Sequence, residues 1–197
     1  MAQISDFKAQ LTGDGARANQ FRVNLTFPSY VTQGVVAGQQ AQFLCKSAQL
    51  PAATIENMQI NYRGRQVNLA GERTFETWPV TIYNDTSFNI RNAFEQWSHG
   101  IQNLADTTGR VNPRDYQVDL SVDQLDRNGA IVKSYKFVDA YPTVISSIAL
   151  DYDTVNQIET FEVIFQYNYW TSNTATNGGF GVNVAVDTPI GTFPINV

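Results

Sequence analysis

The sequence predicts a mostly β fold, in which antiparallel strands form a sandwich or barrel with one flanking α-helix. Two observations support this prediction. Apolar and polar residues alternate with a period of two in four separate segments, as expected for strands that bury one face. A fifth segment instead spaces its apolar residues as an amphipathic helix does. The length of 197 residues suits one domain.

The four alternating segments predict the main strands. In chain order, their apolar positions are Phe21, Val23, Leu25 and Phe27; Trp78, Val80 and Ile82; Tyr116, Val118, Leu120 and Val122; and Phe161, Val163, Phe165, Tyr167 and Tyr169. The residues between them are mostly polar, so each strand is expected to present one face to the core and the other to water. Pro79 interrupts the second segment and removes a backbone donor, which predicts a sheet edge or a bulge there.

Two hairpins are predicted to join neighbouring strands. Residues 126–129 are Asp-Arg-Asn-Gly, and Asn-Gly accepts the positive φ angles of a tight turn at little cost. Residues 153–157 are expected to turn a second hairpin, between strands at 147–152 and 158–170.

The one predicted helix covers residues 87–99. Its apolar residues, which include Ile90, Phe94 and Trp97, recur at helical spacing. Gly100 follows where a C-cap glycine is common, and His99 in the last turn would complement the helix dipole. We expect this helix to pack across an open end or face of the sheets.

The remaining segments are expected to lie outside the compact core. Residues 1–170 are assigned to a β domain with an N-terminal arm, and residues 171–197 to a C-terminal extension. Segments 1–19 and 50–71 resemble extended arms, and connections of that length are usually functional or disordered. Residues 171–180 have the small, polar, Gly-rich composition of a linker, and alternating valines after them predict one more strand.

The composition favours a protein partner over nucleic acid. The formal net charge is −5 and the pI about 4.7, whereas a non-specific nucleic-acid clamp needs an excess of Lys and Arg. Charged residues make up only 16% of the chain, against a usual ~25%, which suggests that part of the surface faces another protein. No signal pattern opens the chain, and no apolar run approaches the ~20 residues of a membrane span. We therefore expect no stable membrane insertion.

The residues needed for catalysis or metal binding are scarce, so we expect neither an enzyme nor a cofactor. His99 is the only histidine, and Cys45, the only cysteine, is expected to be a buried, inert thiol that forms no internal disulfide. One histidine and one cysteine do not supply a zinc site. Asp151, Asp153 and Asn156 lack the glycine and closing glutamate of an EF-hand loop. No phosphate loop or dinucleotide motif is present.

An arginine cluster raises the main functional question. Arg63, Arg65 and Arg73 fall within eleven residues, just before the aromatic, β-branched run that begins near Trp78. Arginines so placed could cradle phosphate, or they could form bidentate pairs with carboxylates of a neighbouring subunit.

An ordered set of motifs from residue 20 to residue 170 closely resembles the tail tube proteins of contractile-tailed, T-even-like phages. The motifs are FLCKSAQLPA at 43–52, GRQVNLAGERTF at 64–75, Trp78, VTI at 80–82, ND at 84–85, Arg91, Phe94 and Trp97, YPT at 141–143, LDYD at 150–153, NQIETFEV at 156–163 and YW at 169–170. The chain departs from the family's pattern at Pro79, in a surplus of about eight residues around 29–40, and in the extension 171–197.

The resemblance implies a structural virion protein without cofactors. Six copies would form a ring, and stacked rings would form the inner tube of a contractile tail, through which DNA is ejected without specific binding. Its partners would be other copies of the chain, the tail sheath protein, and the baseplate and tail-terminator proteins. It would reside in the virion tail, and in the host cytoplasm during assembly.

The resemblance also gives the candidate site residues their expected roles. Arg63, Arg65 and Arg73, with Gly64 and Gly71 allowing close backbone approach, are expected to contact a neighbouring subunit. The alternatives are a solvated hairpin with ion pairs inside one subunit, and a direct DNA contact.

The predicted helix would lie outside the tube and face the sheath, presenting Arg91, Glu95 and His99 as an exposed stripe at i, i+4 spacing. Two rival functions stay open: the tube of a secretion or phage-derived injection system, and a monomeric carbohydrate-binding β-barrel that uses Trp78, Tyr83 and Trp97.

Overall fold

The computed structural model describes residues 4–10 and 15–175, and strands predominate in them, as predicted. In chain order the elements are α1 (Ile4–Gln10), β1 (Phe21–Asn24), α2 (Gly34–Leu44), β2 (Cys45–Ala48), β3 (Ala53–Tyr62), β4 (Arg65–Phe75), β5 (Trp78–Tyr83), α3 (Asn89–Ile101), a 3₁₀ turn (Pro113–Asp115), β6 (Val118–Leu125), β7 (Ile131–Ile145), β8 (Thr160–Gln166) and β9 (Tyr169–Ser172).

All strand pairs are antiparallel, and the main sheet runs in the order β1-β6-β7-β8-β5-β2. The long strand β7 belongs to both halves of this sheet: its first part pairs with β6 and β9, and its last part pairs with β8. Between the two parts, Asp139 adopts a left-handed φ of 56°. Its carboxylate accepts a hydrogen bond from Asn168 Nδ2 at 2.9 Å, and its N–H donates to Asp119 Oδ1 at 3.3 Å. The strand therefore turns a corner at Asp139, which lets the sheet fold over one core.

Aromatic side chains fill that core. Trp78 of β5 stacks on Phe137 of β7 with ring centroids 4.1 Å apart, and Phe94 and Trp97 of α3 pack on Phe165 of β8. The indole N–H of Trp97 donates to the Tyr116 carbonyl at 2.8 Å, which removes the desolvation penalty of burying that donor.

The burial of both tryptophans contradicts the carbohydrate-binding alternative. Trp78 is 1% exposed and Trp97 is fully buried, so neither ring can stack on a sugar, and Tyr83 alone is left partly accessible. The alternation that predicted strand β5 already implied that Trp78 faces the core.

The sequence indicated only one helix, so α1, which lies in the segment 1–19 expected to be an extended arm, was missed. Helix α2 was not predicted either. Its small residues Gly34, Ala37, Gly38 and Ala41 recur at i, i+3, i+4 and i+7 and form its buried face. A Cβ at Gly38 would lie 2.6 Å from the Leu25 carbonyl oxygen, so only glycine permits this approach to the chain just after β1. The helix overlaps the segment 29–40, where the surplus was noted. Cys45 directly follows it and is the first residue of β2.

The predicted helix is confirmed as α3, although its end differs from the prediction. Gly100 is a residue of the helix, not its cap, and Gln102 donates its N–H to the Ser98 carbonyl beyond the last turn. Gly100 is required by packing instead: a Cβ there would overlap the Tyr30 ring, whose hydroxyl donates to the Trp97 carbonyl at 2.8 Å.

The predicted turns are partly confirmed. Gly129 has the positive φ expected of it, and the Asp126 carboxylate accepts the N–H groups of Asn128 and Ala130, each at 2.8 Å. Strands β7 and β8 pair antiparallel as a hairpin would, but the predicted strand at 147–152 is wrong, because 146–159 forms a long loop.

The remaining strand predictions concern a proline and the extension. The last pair between β5 and β2 joins Val80 to Ala48, and Pro79 lies one residue beyond it. The absence of an N–H group at Pro79 therefore removes no hydrogen bond between these two strands. Strand β9 continues to Ser172, two residues past the boundary drawn at 170. The strand predicted from the alternating valines lies outside the described residues.

Candidate assembly surface

Strands β3 and β4 form a separate two-stranded hairpin that projects from the body. They pair from Ala53 with Phe75 at the base to Tyr62 with Arg65 at the tip. Arg63 and Gly64 close the tip with φ angles of 48° and 77°, the pattern of a type I′ turn. Ten residues of strand give the hairpin a reach of about 30 Å. Segment 50–71, expected to be an extended arm, is therefore mostly regular structure.

The outer part of the hairpin has one apolar and one polar face. Residues that pair directly across an antiparallel ladder share a face. The apolar face carries the pairs Met58–Leu69, Ile60–Val67 and Tyr62–Arg65, and the polar face carries Asn57–Ala70, Gln59–Asn68 and Asn61–Gln66. The five apolar side chains Met58, Ile60, Tyr62, Val67 and Leu69, which we call the hairpin apolar face, are 44–62% exposed.

Gly71 lies in a bulge near the base of the hairpin. The register shifts between Ile55 and Asn57, where one residue of β3 faces two of β4. A Cβ on Gly71 would lie 2.9 Å from the Glu56 carbonyl oxygen, too close for any other residue without a local shift. Gly64 and Gly71 thus serve the backbone of their own hairpin, whatever contact the hairpin makes beyond it.

The base of the hairpin is fixed to the body by aromatic residues. The Trp170 indole N–H donates to the Ala52 carbonyl at 3.2 Å, and the Phe75 ring lies 6.1 Å from the Tyr167 ring. Burial raises the pKa of the Tyr167 hydroxyl, and the nearby Glu76 carboxylate raises it further. The hairpin is consequently held at one end and free along the rest of its length.

The three arginines are spread along this hairpin and do not form one cluster. Arg63 lies in the turn with its guanidinium 5.3 Å from the Tyr62 ring centroid, Arg65 opposes Tyr62, and Arg73 opposes Ile55 near the base. Within residues 4–10 and 15–175, none of the three forms a salt bridge. The alternative of ion pairs inside one subunit is therefore contradicted for the described part of the chain.

The predicted exposed stripe on α3 is correct at two of its three positions. Glu95 and His99 are exposed, whereas the Arg91 side chain is only 18% exposed. Arg91 Nε lies 2.7 Å from Glu95 Oε1, its Nη1 donates to the Ser146 carbonyl at 2.6 Å, and its guanidinium lies 5.2 Å from the Phe161 ring centroid. Arg91 thus links the helix to the segment that follows β7. The prediction that Arg91 is exposed was wrong because helical spacing alone does not reveal its contacts with Ser146 and Phe161.

Neither a metal-binding cluster nor a readily ionised thiol is found among the described residues. Residues 4–10 and 15–175 hold no group of three or more His, Cys, Asp or Glu side chains that could bind a metal ion. Burial raises the pKa of the Cys45 thiol to about 12, so little thiolate exists at neutral pH. No helix in this part of the chain is long and apolar enough to cross a membrane.

The hairpin apolar face was missed at the sequence level, although a signal for it exists. Residues 57–62 alternate strictly between polar and apolar side chains, and Arg63-Gly64 supplies a turn. Alternation normally indicates a strand that covers a core, and here the strand covers nothing within its own subunit. The arm interpretation therefore singled out this segment without its two faces, and its contact with another subunit stays a prediction.

Sequence comparisons relate the chain to tail tube proteins. A family profile described as "Phage tail tube protein" matches residues 16–173. Tail tube protein gp19 of Enterobacteria phage T4 is 31% identical over 160 residues, which cover 81% of this chain and 93% of the relative. The tail tube protein of Serratia phage KSP90 is 24% identical over 172 residues, covering 85% and 95% of the two chains.

Solved structures share the fold at low sequence identity. The anti-feeding prophage cap, a tube-terminating cap, matches with a TM-score of 0.61 and 17% identity over 82% of this chain and 92% of the other. The sheath-tube complex of the extracellular contractile injection system PVC, in its extended state, matches with a TM-score of 0.53 and 13% identity, over 87% and 98%. With a family match that spans most of its length, the chain belongs to the phage tail tube protein family.

Proposed function

We propose that this protein forms hexameric rings that stack into the inner tube of a contractile phage tail, and that DNA leaves through the lumen. The observation that carries the proposal is the projecting β3–β4 hairpin with its uncovered apolar face, in a chain of this family. The role is structural and requires no cofactor.

The hairpin needs a partner for physical reasons. An isolated two-stranded hairpin is marginally stable in water, and ordering each residue costs roughly 1–2 kcal/mol of backbone entropy. Contiguous exposed apolar surface of this kind marks interaction sites. Arg63 and Arg65 stand at the tip without a carboxylate partner inside the described chain. A neighbouring subunit would supply both the apolar cover and the carboxylates.

Contacts of this type lead to rings and stacks. A protruding element that fits a different surface of the next copy makes a heterologous contact, which closes into a ring or continues as a filament. In the proposed tube the hairpin reaches the adjacent subunit or the next ring.

The proposed passage of DNA agrees with the charge of the chain. Each copy carries a net charge of −5, which repels a polyanion and favours sliding over gripping. The hairpin arginines are spread along the ladder instead of converging on one phosphate-sized site, which argues against specific DNA binding there.

The outer partners follow from the same assembly. We assign Glu95 and His99 on α3 to the side that faces the tail sheath protein, and the two tube ends to the baseplate and tail-terminator proteins. Assembly would take place in the host cytoplasm, before the tube becomes part of the virion tail. The tube of an injection system is the second candidate, because the shared fold extends to such assemblies, but the curated phage relatives favour the virion.

Electron microscopy of the purified protein at increasing concentration tests the proposal. We expect hexameric rings or tubes, with a concentration threshold measurable by sedimentation. The informative control is a shortened hairpin, cut at the Thr54–Thr74 pair and closed by an Asn-Gly turn, which keeps the contacts of Phe75 and Ala52. This control should fold as a stable monomer and fail to assemble. Wild-type protein that stays monomeric at every concentration would refute the proposal.

A further inference from the structure

The loop between β7 and β8, residues 146–159, is a second surface whose apolar side chains are uncovered; we call it the acidic loop. Its apolar side chains at Leu150, Tyr152, Val155 and Ile158 are largely exposed, and Tyr152 is as exposed as in an extended chain, at 105%. Four such residues in nine positions are unusual for a surface loop, where isolated exposed apolar residues are normal and clusters indicate an interface.

The charges of this loop have one sign. It contains Asp151, Asp153 and Glu159, and no lysine, arginine or histidine follows Lys136 anywhere in the chain. Asp151 Oδ1 accepts the Asp153 N–H at 2.9 Å, which shapes the turn. Neither aspartate pairs with a cation among the described residues.

A cleft lies beside these side chains. Its volume is about 380 Å³, and Ile148, Leu150, Gln157 and Ile158 are among the residues that line it. Pockets of roughly 300–1,000 Å³ can enclose groups larger than a single side chain. The loop therefore offers a recess with a mixed polar and apolar lining, which includes the Asp151 and Glu159 carboxylates.

The outer hairpin has the opposite character. Residues 57–70 contain Arg63 and Arg65 and no acidic residue, beside the hairpin apolar face. Two exposed acidic side chains elsewhere in the described chain do have a basic partner: Asp119 has Lys136 at 2.6 Å, and Glu95 has Arg91 at 2.7 Å. The acidic loop thus combines exposed apolar residues with carboxylates that lack a cation.

We propose that the acidic loop of one copy receives the β3–β4 hairpin tip of another copy, with Asp153 and Asp151 facing Arg65 and Arg63. This rests on the proposed function, since a heterologous contact requires that the chain carry the receptor for its own hairpin. Complementary charge sets the register of the contact, and the apolar side chains on both surfaces are removed from water. The occupant of the acidic loop is therefore a second copy of this chain.

Charge reversal on each side tests the pairing. Arg65→Glu and Asp153→Lys both change exposed side chains, so both variants should fold. Alone, each should raise the assembly threshold about tenfold, because it places like charges at the contact. An equal mixture should return to within about twofold of the wild-type threshold. In the mixture, the Arg65→Glu hairpin of one variant can contact the Asp153→Lys loop of the other, and the unchanged hairpin of the second variant can contact the unchanged loop of the first. Both contacts join opposite charges.

A covalent readout supports the same test. Chains carrying Arg65→Cys are mixed with chains carrying Asp153→Cys, assembled and oxidised, and we expect disulfide-linked dimers. Cys45 should not compete, because its thiol is largely un-ionised. Glutamine substitutions at the same two positions control for the loss of charge without reversal, and should give smaller threshold changes.

The outcomes separate the two proposals. Wild-type tubes together with a mixture that assembles no better than either variant, and no dimer on oxidation, would overturn the loop–hairpin pairing and leave the tube intact. Wild-type protein that forms no rings or tubes would overturn both. A dimer from Arg65→Cys chains alone would show that two hairpins meet each other, which also contradicts the pairing.

Discussion

Replacing Ile60 and Val67 by threonine should block assembly without unfolding the subunit. The two residues pair directly across β3 and β4 at the centre of the hairpin apolar face. Threonine is β-branched and keeps the strand propensity of both positions, while its hydroxyl makes burial against a partner unfavourable. Neither side chain belongs to the core of the body, so the free energy of unfolding should change by less than about 0.5 kcal/mol.

The magnitude follows from the exposure of the two side chains. Full burial of a Val or Ile side chain stabilises by roughly 1.5–3 kcal/mol. Each of these residues is 46% exposed in the subunit, so about half of that value is still to be gained on assembly. Together the two substitutions should remove about 1.5–3 kcal/mol per contact, which corresponds to a roughly 10- to 150-fold rise in the assembly threshold.

Sedimentation at increasing protein concentration measures the threshold, and thermal unfolding of dilute protein measures the stability of the subunit. The matched control is the pair Asn61→Thr and Gln66→Thr, which lies one position along the same ladder on the polar face. We expect this control to assemble near the wild-type threshold. Equal thresholds for the two double variants would refute the assignment of the apolar face to a subunit contact.

Three further predictions concern the body of the protein. Gly100→Ala should lower the free energy of unfolding in urea by about 1–3 kcal/mol, because displacing the Tyr30 ring costs more than the ~1 kcal/mol gained in helix propensity. Unchanged stability would contradict the packing. Cys45 should react with iodoacetamide at pH 8 about 1,000-fold more slowly in the folded than in the unfolded chain. The reason is that burial raises its thiol pKa from 9.0 to about 12 and so lowers the fraction of reactive thiolate. Equal rates would show an accessible thiol. Arg91→Ala should lower the free energy of unfolding by about 1–3 kcal/mol, because it removes the hydrogen bond to the Ser146 carbonyl, whereas Glu95→Ala should lower it by under about 0.5 kcal/mol. Equal losses would show that the ion pair between Arg91 and Glu95 dominates.

The strands of the body were predictable because each buries one face against the same core. Val80 and Val163 lie in segments whose buried apolar residues recur at every second position, and the structure pairs them directly. A period of two survives in the sequence wherever one face meets the core and the other meets water. The same logic predicted α3, whose Phe94 and Trp97 lie on its buried side.

The elements that were missed depend on contacts distant in sequence. Helix α2 buries glycine and alanine instead of large apolar residues, and glycine lowers helix propensity, so its period is hidden until the Leu25 backbone is known to lie against Gly38. The corner in β7 rests on Asp139 in a left-handed conformation, held by Asp119 and Asn168 from other parts of the chain.

For the candidate site, the sequence suggested a segment and the structure supplied its form. The arginines and glycines of 63–73 suggested an interface, and the structure adds that Gly71 serves a bulge and that five apolar side chains of the hairpin are 44–62% exposed. Only the observed register could show that Met58, Ile60 and Tyr62 share their face with Val67 and Leu69. Burial on a second subunit would leave the same alternation in the sequence as burial on a core.

The distribution of charge along the chain bears on how such a surface avoids pairing with itself. An apolar hairpin face invites a symmetric dimer of two hairpins, which would end a head-to-tail assembly. All thirteen lysines and arginines lie at or before Lys136, and the outer hairpin carries two of them and no acid. Two hairpins would therefore bring together like charges, and two acidic loops would do the same with aspartates. Only the contact of a hairpin with a loop joins opposite signs, so in the proposed tube the charges select the asymmetric contact while the apolar residues supply most of its stability.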